Sequence, residues 1–258
     1  MVGRYELSEG QWRRICGLLP GKPGDPGRTG ADNRLFVNGV LRILRSGAHW
    51  QDLPDRYGKW KTVHKRFTRW AKAGVWEKVF ASLVGDPDNR YLRPDTTLVR
   101  VHHQAANGKG GAQNQALGRS RGGLTTKIHT LTDAQGRPVR FILTAGQAHD
   151  VTTVPDLLGD LQADAVIADR AYDTNAVRSL IAERGAQAVI PSTKRSSPQP
   201  RTRRVTIPHD AGACRLRNRI ERFFNKLKHF RRIATRYDRR AAHFLSALYL
   251  ASAMIWMR

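Results

Sequence analysis

Cysteine, acid and long apolar runs are all scarce in this chain. Its 258 residues include two cysteines, Cys16 and Cys214. They form no CxxC pair, so neither a zinc site nor a disulfide framework follows, and a reducing compartment fits. No apolar run approaches the ~18 residues of a membrane span, so no membrane partner is expected. The first residues, MVGRYELSEGQWRR, lack the apolar stretch of an export signal, and the expected location is the cytoplasm. With 40% hydrophobic residues, the chain has a globular rather than a disordered composition.

The shortage of acid is the most informative of these. Against 45 Lys and Arg stand 21 Asp and Glu, a formal charge of +24. Such a surface favours polyanions, because each neutralised phosphate releases a condensed counter-ion. The charge is also segregated. Residues 1–84 hold 16 basic and 7 acidic residues, residues 194–240 hold 16 and 3, and residues 85–193 hold 12 and 11. Two basic regions flank a near-neutral middle that carries most of the carboxylates, a distribution that points to nucleic acid.

The first region reads as three to five short helices, residues 1–85, of helix-turn-helix type. Ser8 is a candidate N-cap, Gly47 a C-cap and Gly74 a break. In KWKTVHKRFTRWAK, Trp60, Val63, Phe67 and Trp70 recur at helical steps and read as core. Lys59, Lys61, Lys65, Arg66 and Arg69 form the face that would meet DNA. GDPDNRYLRPD reads as a linker. From there, residues 86–258 change to strand patterns: TTLVRVHH, a hairpin turning at DAQGRP, a helix in DVTTVPDLLGDLQA, the strand AVIAD, the helix TNAVRSLIAERG, and QAVIP. A polar insertion near residues 192–212 follows. RLRNRIERFFNKLKHFRR then reads as one long helix, and HFLSALYLASAMIW as another. This order describes a mixed α/β domain and fits a ribonuclease H-like sheet.

Three carboxylates stand out. Asp95 begins the first strand, Asp169 ends VIAD, and Glu221 is the one acid among eight Lys and Arg of Arg215–Arg232. Hard divalent ions take oxygen ligands, and two-metal phosphoryl transfer needs several carboxylates on a rigid scaffold. At ~100° per residue, Arg217, Glu221 and Lys228 lie within about 40° of one another on the helix. Taken alone, that row reads more readily as i,i+4 ion pairing than as catalysis. Asp173 competes with Asp169 but reads as the cap of the next helix. His149 and Asp150 read as supporting groups or as a cap. His102 and His103 alternate faces of a strand, so neither is read as a metal ligand. Arg119 and Arg121, in the Gly-rich loop RSRGG, are phosphate candidates.

Residues 214–228 spell C-x₂-R-x₃-E-x₆-K, which resembles the Y-x₂-R-x₃-E-x₆-K signature of the DDE transposases of bacterial insertion sequences. LRPDTTLVRVHHQAA, GQAHDVTTVPDLL, VIADRAYDT and the closing helices are similar to the insertion sequence 5 family, as is WQDLPDRYGKWKTVHKRF. The resemblance implies Asp95, Asp169 and Glu221 as catalytic acids and ligands of two Mg²⁺, for which Mn²⁺ can substitute. It implies Arg217 and Lys228 as DNA contacts, and Cys214 stands where the signature has Tyr. It also implies a DNA transposase acting at terminal inverted repeats, a homodimer on two DNA ends and a location at the bacterial nucleoid. A decayed or domesticated DNA-binding protein and a stand-alone Mg²⁺-dependent nuclease are the alternatives.

Overall fold

Ser8 opens the first helix as the sequence predicts. Its hydroxyl accepts from the Gln11 N–H while the Gln11 side chain accepts from the Ser8 N–H, a reciprocal capping box. A computed structural model gives the architecture for residues 5–26, 29–85, 87–192 and 218–258. Helices α1 (Glu9–Ile15), α2 (Asn33–Ser46), α3 (Trp60–Lys72) and α4 (Val75–Val84) make the N-terminal part. Asp32 caps α2 and Gly47 ends it at φ +75°, a left-handed turn that penalises any side chain with a Cβ.

The aromatic stripe of α3 is core, as its spacing predicts. Phe67 and Trp70 are buried, and their rings lie 5.8 Å and 5.3 Å from that of Trp76 on α4. These helices do not close a core of their own. Trp76 and Phe80 belong to one continuous apolar cluster with Phe223, Leu227, Phe244 and Leu250 from the far end of the chain. The last helix supplies much of that cluster and is buried on nearly all sides. Among the described residues, no helix is long and apolar enough to cross a membrane.

The sheet is mixed. Strand β1 (Tyr91–Val101) pairs antiparallel with β3 (Gly123–Thr132), and β3 pairs antiparallel with β2 (Gly118–Ser120) and β4 (Pro138–Ala145). On its other side β1 runs parallel to β5 (Ala165–Ile167), which runs parallel to β6 (Gln187–Val189). This is the ribonuclease H-like arrangement expected: an antiparallel meander beside two parallel strands. The β3–β4 turn is tied by Asp133, which accepts from the N–H groups of Gln135 and Arg137. Short helix α5 (Gly111–Asn114) precedes β2, α6 (Val154–Leu158) follows β4, and α7 (Asn175–Glu183) lies between β5 and β6.

The two faces of the sheet carry different covers. Leu92 and Leu131 pack with Val154, Leu157, Val177 and Ile181, from α6 and α7. Val99, Ile128 and Phe141 pack with Ile220 and Phe223 from α8 (Asn218–Lys228).

Several expectations are corrected. The strand begins at Tyr91, so YLRP is sheet and not linker, and Asp95 lies within the strand rather than at its start. The helix after GQAHD is short: Gly159 ends α6. The long basic helix stops at Lys228, and α9 (Arg231–Ala234) follows. Between them Phe230 leaves helical backbone to bury its ring, over which Arg45 lies 3.6 Å from the centroid. A further strand, β7 (Thr235–Arg236), runs parallel to the end of β1 before α10 (Ala241–Trp256). Thr174, not Asp173, caps α7, and Asp173 instead pairs with Arg178 at 2.9 Å. The polar insertion lies outside the described residues.

His129 is a buried polar tie inside the sheet. Nε2 lies 2.7 Å from the Thr144 hydroxyl and Nδ1 lies 3.0 Å from that of Thr153. Burial pushes its pKa down from 6.5 to about 4. Below pH 6.5 the unfolded chain binds a proton that the folded chain refuses. Stability is therefore full above that pH and lost progressively as pH falls towards 4, by roughly 3 kcal/mol at ~1.36 kcal/mol per unit. Urea midpoints measured at pH 7 and pH 4.5 should fall less for His129→Gln than for the wild type.

Candidate active site

In the parallel pair β1–β5, Tyr91 faces Ala165 and Leu92 faces Val166. Continued beyond the paired segment, and past Ile167 where β5 ends, the same offset would bring Asp95 level with Asp169. Directly opposed residues of neighbouring strands project to one face, with strands ~4.8 Å apart. By alternation, Arg93, Asp95, Thr97 and Val99 share the face that α8 covers, and Asp169 follows two residues after Ile167, where β5 has ended. Both acids are half-buried.

Each carboxylate is also held locally. Oδ1 of Asp95 accepts from the Thr96 N–H at 2.7 Å. Oδ1 of Asp169 accepts from the Ala171 N–H at 2.8 Å, capping the turn Arg170–Tyr172. That turn delivers Tyr172, whose phenol is buried and makes no hydrogen bond among the described residues. Burial, and then the charges of Asp150, Asp95 and Asp169, hold the phenol well above its ordinary pKa. Three carboxylates thus act on one buried phenol.

Asp150 is fixed by Lys127. The ammonium lies 2.7 Å from the carboxylate and donates to the Ala148 carbonyl at 2.6 Å. Both side chains are mostly shielded from solvent, at 12% and 23% exposure, so the pair gains more than a surface ion pair would. The sequence leaves Asp150 between a supporting group and a cap; here it is the partner of Lys127. Sequence reasoning singles out neither Lys127 nor Tyr172. The spacing of Tyr172, three residues beyond a strand-end acid, is a usable signal. Nothing in the sequence points to Lys127.

Glu221 is exposed on the first turn of α8. The helix is fixed over the Asp95 face from both ends of its apolar stripe. Phe223 stacks 6.1 Å from Phe141, and Arg219 donates to the Ala134 carbonyl at the β3–β4 turn. There Gly136, at φ +78°, lets the Arg219 backbone approach: an added Cβ would meet its carbonyl oxygen at 3.0 Å. The structure therefore sets Asp95 on the sheet face that carries the helix of Glu221, and Asp169 just past the end of the neighbouring strand β5. It does not bring the three into one ligand group: among the described residues, no cluster of three or more His, Cys, Asp or Glu is arranged to hold a metal ion. Carboxylates such as those of Asp95 and Asp169 are donors that suit a hard cation.

The DNA candidates fall in three places. Lys59, Lys61, Lys65 and Arg69 are exposed along α3. Arg66 differs: its guanidinium lies over Phe36 and Trp70 and donates to Asn33, inside the helical region. Arg119 and Arg121 are exposed at the β2–β3 hairpin, where the Gly-rich loop is a tight turn. Lys228 is exposed at the end of α8. Arg217 and Cys214 lie outside the described residues. His102 and His103 do not alternate on a strand, because β1 ends at Val101 and their rings lie 4.1 Å apart.

Comparison with known proteins agrees with this architecture. A family described as a transposase DDE domain matches residues 94–256, and one described as a putative transposase of the IS4/5 family matches residues 7–80. A putative transposase for insertion sequence element IS6501 of Brucella ovis is 40% identical over 139 residues, 52% of this chain and 100% of that one. An uncharacterised protein of Sinorhizobium fredii, y4sN, is 40% identical over 115 residues, 43% of this chain and 90% of its own length. Among solved structures, the piggyBac transposase synaptic complex with hairpin DNA shares the fold, with a TM-score of 0.53 and 11% identity, over 98% of this chain and 72% of that one.

Proposed function

The chain belongs to the transposases with a DDE domain, and from that premise we propose that it binds the terminal inverted repeats of its insertion sequence, cuts the ends and joins them to target DNA. The observation that supports this reading is that Asp95 lies on β1 and Asp169 just past the end of β5, the strand that runs parallel to it. Glu221, on the helix over that face, is assigned as the third acid.

The reaction is two displacements at phosphorus. Water attacks the terminal phosphodiester, and the 3′-oxygen leaves as a hydroxyl. That hydroxyl then attacks a target phosphodiester in line, and the target's own 3′-oxygen leaves. Asp95 and Asp169, with Glu221 as the assigned third ligand, would hold Mg²⁺, or Mn²⁺ in its place, which would supply charge stabilisation for the transfer. The chain's own contribution is position and electrostatics. Asp95 and Asp169 sit at fixed points of the sheet. Arg119, Arg121, Arg217 and Lys228 orient phosphates around them. Lys59, Lys61, Lys65 and Arg69 grip the end. Both ends must be held together, so a homodimer on two DNA ends is the working assembly.

The test is a labelled duplex carrying the element's own end, incubated with the full chain, Mg²⁺ and a supercoiled plasmid. The reading expects strands cut at the end and label joined to the plasmid. Cuts without joining would mark a nuclease. Binding without cuts would mark a DNA-binding relic.

A further inference from the structure

A row of aromatic rings lies where β7 meets the end of β1, away from the carboxylates. The β1–β7 register sets Arg100 beside Thr235 and Val101 beside Arg236. One further step brings His102 beside Tyr237. The His102 N–H donates to the Arg236 carbonyl at 2.9 Å, and the two rings lie 4.8 Å apart with their planes at 30°. The chain then turns, and the His103 ring comes to 4.1 Å from that of His102. From the N-terminal helices, His49 approaches Tyr237 edge-on at 6.4 Å. Behind the row, Arg232 donates to the Ala48 carbonyl and lies 5.3 Å from the centre of the Tyr237 ring.

Rings that served only the fold would be covered. Here His49 and His103 are exposed and His102 and Tyr237 are half-buried. Burial, then His103 and His49, lower the pKa of His102, which favours the neutral imidazole and lessens repulsion within the stack. Cations frame both ends. Exposed Arg239 donates to the Gln104 carbonyl beside His103, and exposed Arg231 packs against Gly47, two residues before His49. The nearest acid in sequence, Asp238, is buried.

We propose that His103, His102 and Tyr237 form a stacking platform for unpaired bases of a DNA strand, with Arg231 and Arg239 on its phosphates. The proposal rests on the reading of DNA as the ligand and specifies which form of DNA this surface takes. Duplex bases are stacked on each other and offer no ring face, whereas an unpaired base does, whatever its identity. A strand freed beside a cut end has such bases. His103, exposed at the end of the row, is where a base extends the stack.

Fluorescence anisotropy of the full chain tests this with three probes: a labelled single-stranded oligothymidylate, an abasic strand of the same length, and a duplex. The wild type should bind the thymidylate about tenfold more tightly than the abasic strand. His102→Ala/His103→Ala should lose that preference and keep duplex affinity within about twofold. Should the double variant misfold, His103→Ala alone, at an exposed position, should cut the preference by about threefold. Equal wild-type affinity for thymidylate and abasic strands would overturn the platform, as would a variant that keeps the preference. A wild type that binds none of the three would overturn the DNA reading itself.

Discussion

Asp169→Asn should abolish end cleavage, by about 10³-fold or more, and leave folding and duplex binding intact. Asn keeps the shape of Asp and removes one unit of charge. It can still accept from the Ala171 N–H, as Asp169 does at 2.8 Å, and Asn and Asp are near-equal caps. What is lost is the anionic ligand, and several kcal/mol of transition-state charge stabilisation with it; ~4 kcal/mol is about 10³-fold in rate. Asp95→Asn should behave alike, because its oxygen toward Thr96 is also retained. Single-turnover cleavage of a labelled end, read beside an anisotropy titration and a melting curve, separates loss of chemistry from loss of fold. A variant that cut at a tenth of the wild-type rate would place that acid outside the centre.

Trp76→Ala should cost about 3–5 kcal/mol, at the upper end of what a single substitution does to stability. Trp76 is fully buried and touches the rings of Phe36, Phe67 and Trp70. The cluster it joins runs from the N-terminal helices to α10, so the cavity would loosen the helical region and the catalytic sheet together. The melting temperature should fall by about 10 °C, at ~2–4 °C per kcal/mol for a chain of this size. Trp76→Phe should cost much less, since it keeps a ring and removes an indole N–H that has no partner among the described residues. Two separate melting transitions, with only the first shifted, would contradict a shared core.

Most helices were legible because their ends carry local chemistry: Ser8, Gly47 and Gly74 act within one turn of themselves. The start of β1 was not, because Pro94 and Asp95 are poor strand residues by propensity. Pairing with β3 and β5, strands far away in sequence, overrides that. The break after Lys228 was hidden for a similar reason. The pattern of Arg215–Arg232 is helical throughout, and only the site that receives Phe230 decides otherwise. At the candidate site, the strand-end acid Asp169 was readable from an apolar run that stops. Its place relative to Asp95 was not, since the pairing of β1 with β5 is a property of two strands. The resemblance supplied Glu221, which periodicity alone had favoured as an ion-pairing residue.

The most direct measurement compares wild type with Glu221→Gln on the labelled duplex end in Mg²⁺. Glu221 is exposed, so the change should leave folding within about 0.5 kcal/mol and binding unchanged. The account predicts that the variant binds the end and fails to cut it. Wild-type cleavage by Glu221→Gln would contradict it and leave Glu221 as a counter-ion in a basic helix.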